Sequence, residues 1–128
     1  LQLAVKKGYR VLVISGGNSE AVRERLRKLG VTDVYLQVSD KSALLEQYRH
    51  ANGLHFNEML YMGDDIPDYE VMKTAGLSCA PADAAPEIRH IAQYISPLKG
   101  GEGCVRDVIE KVMKLRGDWG IDTTVASK

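Results

Sequence analysis

Short blocks of aliphatic and β-branched residues alternate along this chain with longer stretches in which apolar positions recur every three or four residues. Residues 9–14 (YRVLVI) read as a buried parallel strand, because such strands are nearly continuous apolar runs. Ser15-Gly16-Gly17-Asn18 is the turn after it, and Ser19 is a good N-cap with Glu20 in the first turn of the next helix. In that helix Val22, Leu26 and Leu29 share a face among arginines and lysines, and Gly30 closes it. The pattern then repeats. Residues 34–38 predict a second strand, and 41–52 an amphipathic helix carrying Leu44, Leu45 and Tyr48. Residues 59–62 predict a third strand and 67–75 a helix, with Pro67 near the start, where a missing N–H costs nothing. A fourth strand at 77–80, a helix at 86–92, a small strand at 94–95 and a glycine-rich loop at 97–103 follow. A final helix over 104–115 turns Val105, Val108, Ile109, Val112 and Met113 to one face.

Strands alternating with helices across short loops predict an α/β fold of three layers, a doubly wound parallel sheet covered on both faces. Ligands in such sheets bind beyond the carboxyl ends of the strands, at a topological switch point. Ser15 and Asp64 both fall at strand ends of that kind. At 128 residues the chain is sized for one domain with a real core. Residues 1–119 are expected to form it, with 120–128 as a loose polar tail. Residues 1–8 read as the last turns of a helix closed by Gly8, without an N-cap or a strand before it. The expectation is that the sequence as given starts inside a domain.

Composition narrows the chemistry. Seventeen basic and 17 acidic residues cancel, so no global field draws the chain to nucleic acid or to an anionic membrane. No apolar run is long enough to cross a bilayer, and no signal-peptide pattern stands in the sequence as given. Cys79 and Cys104 lack paired or metal-ligand spacing and read as reduced thiols of a cytosolic protein. His50, His55 and His90 show no metal-ligand spacing either.

The densest chemical signal is Leu60-Tyr61-Met62-Gly63-Asp64-Asp65-Ile66-Pro67-Asp68, an apolar strand ending in Gly-Asp-Asp with a third acid one turn later. Crowded carboxylates repel one another, and a bound cation commonly offsets that cost. Mg²⁺ suits such a site, since it prefers oxygen ligands and keeps waters that a phosphate can displace. Asp64, Asp65 and Asp68 are therefore the candidate metal residues; the plainer reading is that Asp65 and Asp68 only cap the following helix. Ser15, with the free N–H groups after Gly16, makes a candidate phosphate cradle, or else an ordinary βα turn. Lys41 opens a helix, where a cation opposes the helix dipole. A phosphate nearby would account for it, and a solvated surface lysine is the alternative. Arg106 stands against the dipole of the last helix in the same way, pairing with Glu102 or Asp107 or meeting an anionic substrate.

Strand-terminal Ser15, helix-opening Lys41 and Gly63-Asp64-Asp65-x-x-Asp68 come in the order of motifs two, three and four of the haloacid dehalogenase phosphatase superfamily, which this chain resembles. Val38-Ser39-Asp40-Lys41, Ala75-Gly76-Leu77-Ser78, Ala80-Pro81-Ala82-Asp83-Ala84 and Gly100-Gly101-x-Gly103-x-Val105-Arg106 resemble its small capless branch, whose members act on sugar-acid phosphates. The resemblance implies a Mg²⁺-dependent phosphomonoesterase in which an Asp attacks phosphorus and water hydrolyses the aspartyl-phosphate. It implies that Ser15 and Gly16 hold a phosphoryl oxygen, Lys41 the phosphate and nucleophile, Asp64 the metal, and Asp65 and Asp68 the rest of the metal shell. It implies a homotetramer and a small-molecule substrate, alongside the cytosolic location read from the cysteines. The favoured substrate is 3-deoxy-D-manno-octulosonate 8-phosphate, with nonulosonate 9-phosphates as the alternative.

One departure bears on all of this. The family's first motif, Asp-x-Asp-Gly, supplies the nucleophile and is absent from the sequence given. The expectation is that the natural protein extends N-terminally by a strand carrying it. A non-catalytic oligomerisation module related to the family is the second reading, although all three acids of motif four are present. A phospho-acceptor receiver domain is disfavoured, because its acids precede the hydroxyl and its lysine comes last.

Overall fold

The computed structural model describes residues 2–100 and 102–117. Its elements run α1 (Gln2–Lys6), β1 (Leu12–Ile14), α2 (Glu20–Lys28), β2 (Asp33–Tyr35), α3 (Lys41–Ala51), β3 (Leu60–Met62), α4 (Tyr69–Thr74), β4 (Leu77–Ala80), α5 (Pro86–Ile91), β5 (Tyr94–Ile95) and α6 (Cys104–Leu115). The alternation expected from the patterning is present, and every strand pairing among the described residues is parallel. The predicted polar tail lies outside the described residues, as does Gly101 of the glycine-rich loop.

The chain divides into two compact units. Of the described residues, one takes 2–39 and 109–117, and the other takes those within Asp40–Val108. In the first, β1 pairs with β2, setting Leu12 opposite Asp33 and Ile14 opposite Tyr35. Ser19 caps α2 by accepting from the Val22 N–H. Gly30, at φ +90°, ends that helix: its N–H reaches the Arg27 carbonyl while that of Val31 reaches Leu26. Ala4, Val31, Val34 and Met113 are buried in this unit.

In the second unit β4 is central, flanked by β3 and β5. Met72 of α4, Ala80 of β4, Ala84 of the loop that follows it and Ile88 of α5 form the core, with Tyr61, Tyr69 and Ile91 packed against it. Fully burying Met72 or Ile88 contributes about 1.5–3 kcal/mol each. Among the described residues β1 and β3, the strands that lead to Ser15 and Asp64, are edge strands of their respective sheets.

Three elements differ from expectation by more than one residue at a boundary. The strand predicted over 9–14 is confined to Leu12–Ile14, because its ladder reaches only as far as Asp33–Tyr35. The strand predicted over 34–38 ends at Tyr35, and Gln37 adopts φ 57°, which extended backbone cannot hold. The helix predicted over 67–75 begins as a 3-10 turn, Ile66–Asp68, and becomes α-helical only at Tyr69. Asp65 accepts from the Ile66 N–H while Asp68 reaches back to the Asp65 N–H, which tightens the first turn.

Candidate active site

β3 delivers its chain to a tight reversal. Gly63 follows the strand, then Asp64 and Asp65, and the 3-10 turn brings Asp68 back beneath Gly63. A Cβ on residue 63 would stand 2.5 Å from the Asp68 Cβ and 2.8 Å from the Met72 sulfur, so only glycine fits. Asp68 is buried there, with its side chain 6% exposed. Both of its oxygens are occupied. Oδ1 accepts from the Lys41 ammonium at 2.9 Å and from the Tyr61 hydroxyl at 2.8 Å. Oδ2 accepts from the backbone N–H of Asp64 at 3.0 Å and, less closely, from that of Asp65 at 3.4 Å. Burial pushes the Asp68 carboxyl up, but the hydrogen bonds from Lys41, Asp64 N–H and Tyr61 outweigh it and hold the group below its ordinary value.

Lys41 is the first residue of α3, and Asp40 caps that helix by accepting from the Ala43 N–H. The lysine side chain is 15% exposed. Its position against the helix dipole needed a countercharge, expected from a bound phosphate; Asp68 supplies one within the protein. One of three ammonium N–H donors is spent on Asp68, which leaves two for an anionic ligand.

Asp64 is held differently. Burial, then the neighbouring carboxylates of Asp68 and Asp65, push its carboxyl above the ordinary value, with Lys41 acting in the opposite direction. A carboxylate so placed is relieved by a cation. Asp64, Asp65, Asp83, Ala85 and Gly100 line a shallow depression at this end of β3. Among the described residues no three His, Cys, Asp or Glu side chains converge to hold a metal ion together. The three acids of the motif thus do not form a trio: Asp68 turns inward to Lys41, and Asp65 caps the 3-10 turn. Mg²⁺ usually takes one or two carboxylates and completes its shell with water and phosphate. The residues present fit that pattern, with Asp64 as the carboxylate that a cation would relieve.

Ser15 and Gly16 belong to the other unit. There Ser15 directly follows β1, its N–H reaches the Tyr35 carbonyl, and its hydroxyl accepts from the Gly17 N–H at 3.0 Å, closing the turn. Gly16 is exposed. Arg106 is exposed in the first turn of α6.

The sequence reading missed two residues. Tyr61, taken only as part of an apolar strand, is a ligand of Asp68; burial and the nearby carboxylates raise its hydroxyl pKa far above the ordinary value. Asp83 lines the depression and accepts from the Gly100 N–H. In both cases the available signal was a polar group flanked by residues of an apolar segment.

A family profile described as haloacid dehalogenase-like hydrolase matches residues 27–108, and the chain belongs to that family. The relatives narrow the class. The chain is 34% identical over 115 residues to the 3-deoxy-D-manno-octulosonate 8-phosphate phosphatase KdsC of Yersinia pestis, covering 87% of this chain and 62% of that protein. A crystal structure of the Yersinia pestis phosphatase superposes with a TM-score of 0.89 at 30% identity, over 91% of this chain and 63% of the other. The Moraxella catarrhalis phosphatase, solved in complex with magnesium, phosphate and KDO, gives a TM-score of 0.85 at 28% identity, over 88% and 65%. The chain therefore spans a little under two thirds of the length of these relatives.

Proposed function

We propose that the natural protein carrying this chain is a Mg²⁺-dependent phosphomonoesterase that hydrolyses a sugar-acid phosphate, with 3-deoxy-D-manno-octulosonate 8-phosphate as substrate. The observation that carries this reading is the Lys41–Asp68 pair, with Asp68 buried, placed against the loop of Asp64, whose own carboxyl is pushed above its ordinary value by burial and by the neighbouring carboxylates. The names of the Yersinia pestis and Moraxella catarrhalis relatives support the substrate. Magnesium in the Moraxella catarrhalis complex supports the metal.

In this reading Asp64 holds Mg²⁺, with Asp65 beside it. The metal, when bound, screens phosphoryl charge so that an anionic nucleophile can approach. Lys41 neutralises the phosphate in the ground and transition states, and Asp68 positions Lys41 and ties its ammonium to the Asp64 backbone. Ser15 and Gly16 hold a phosphoryl oxygen, and Arg106 meets the anionic substrate. The nucleophilic Asp is assigned to a strand outside the sequence given. That β1 and β3 are both edge strands supports this, because an edge presents backbone groups to which a further strand can add. A cytosolic homotetramer completes the reading. Among the described residues no helix is long and apolar enough to cross a membrane.

Phosphate release by the natural protein tests the substrate. Turnover of the octulosonate 8-phosphate well above that of nonulosonate 9-phosphates and of generic monoesters, lost on chelation of Mg²⁺, is the expected result. Equal turnover of all three would remove the substrate assignment, and activity untouched by chelation would remove the metal.

A further inference from the structure

Asp83 lies in the connection between β4 and α5. Its Oδ1 accepts from the Gly100 N–H at 2.8 Å, across 17 residues of chain. Two more long-range bonds flank this one. Ala82 donates to the Leu98 carbonyl at 2.9 Å, and Ala85 donates to the Asp64 carbonyl, also at 2.9 Å. The three bonds join the segment that precedes α6 to the β4–α5 connection, and that connection to the residue at the end of β3. Ser96, buried at the start of the segment, fixes its other end: its hydroxyl donates to Asp107 and accepts from the Leu98 N–H. Asp83 and Gly100 both line the depression beside Asp64 and are exposed in it.

We infer that Asp83 is a positioning residue that holds the backbone around Gly100 as one wall of the substrate depression. The wall meets the part of the substrate away from its phosphate. Two features favour this over a purely structural tie. The bond is exposed within the depression rather than buried under it, so it adds little to the core. It also fixes, at Gly100, a stretch of backbone that lines the depression and carries no side chain. A wall of bare backbone suits a polyhydroxylated substrate, whose hydroxyls can meet peptide groups directly.

This inference rests on the phosphatase reading, and its test separates the two. In the natural protein Asp83→Ala removes the acceptor, while Asp83→Asn keeps an oxygen in its place. Hydrogen exchange at the Gly100 amide reads the latch without activity, and kinetics on the octulosonate 8-phosphate and on p-nitrophenyl phosphate read the wall. Asp83→Ala is expected to speed Gly100 exchange about tenfold. It is expected to raise KM for the sugar-acid phosphate about fivefold, with kcat and the KM for p-nitrophenyl phosphate within about twofold. Asp83→Asn is expected to restore most of both effects. Unchanged Gly100 exchange, an equal rise in both KM values, or no rescue by Asn would each overturn the inference while leaving the phosphatase reading intact. Failure of the wild-type protein to release phosphate from either compound would overturn that reading and the substrate-facing role with it.

Discussion

Replacing Asp68 tests the arrangement at the end of β3. Asp68→Ala leaves the Lys41 ammonium, 15% exposed, without its countercharge, and strips the Tyr61 hydroxyl and the Asp64 and Asp65 N–H groups of an acceptor. Removing one partner of a buried ion pair costs about 3–5 kcal/mol. Because Lys41 keeps some contact with water and the two N–H groups lie at an exposed loop, the low end applies, about 3 kcal/mol. Lys41→Met leaves Asp68 with Tyr61 and the backbone donors and should cost less, about 1–2 kcal/mol. Urea unfolding of the natural protein, both single variants and the double variant at pH 7 gives the coupling, expected to be at least about 1 kcal/mol. The pH dependence has a fixed sign. Asp68 titrates below its ordinary 3.8 in the folded state, so its stabilisation is complete above that value and is lost as pH falls through the lower folded value. A cost for Asp68→Ala below about 0.5 kcal/mol, or additive single variants, would refute the clamp.

Three further outcomes follow from the same geometry. Adding Mg²⁺ should raise the thermal midpoint of the natural protein, and Asp64→Asn should abolish the rise while stabilising the metal-free form, since its carboxylate is disfavoured there; an undiminished shift in the variant would place the ion elsewhere. Gly63→Ala sets a Cβ 2.5 Å from that of Asp68 and should cost about 1–3 kcal/mol in denaturant unfolding while weakening the Lys41 pairing; a neutral substitution would contradict the close approach. Cys79 is 1% exposed, and burial pushes its thiol up to about 11, so it should resist iodoacetamide at pH 8 until the protein is unfolded, as intact-mass alkylation will show.

The alternation of strands and helices was legible because parallel strands are apolar runs and helices repeat every three to four residues, and the order of elements followed. Boundaries were less so. Residues 36–38 look extended by composition, yet Gln37 turns at positive φ once β2 runs out of partner. The candidate site was visible as a cluster of acids, but not as a division of labour. Spacing alone cannot say which way a carboxylate turns. Asp68 folds inward because Gly63 has no side chain to stop it and because Lys41, distant in sequence, arrives from another helix. Tyr61 went unread for the same reason, since a tyrosine within an apolar strand announces burial and not the acceptor its hydroxyl finds. Asp83 stood inside a recognised segment, but its partner Gly100 is set by the loop geometry of a distant turn.

The most direct test of the central claim is the steady-state rate of phosphate release from 3-deoxy-D-manno-octulosonate 8-phosphate by the natural protein and its Asp64→Asn variant in saturating Mg²⁺. A fall in kcat/KM of about 10³ or more, from a variant that folds normally, is the predicted result. A variant as active as the wild type would contradict the account.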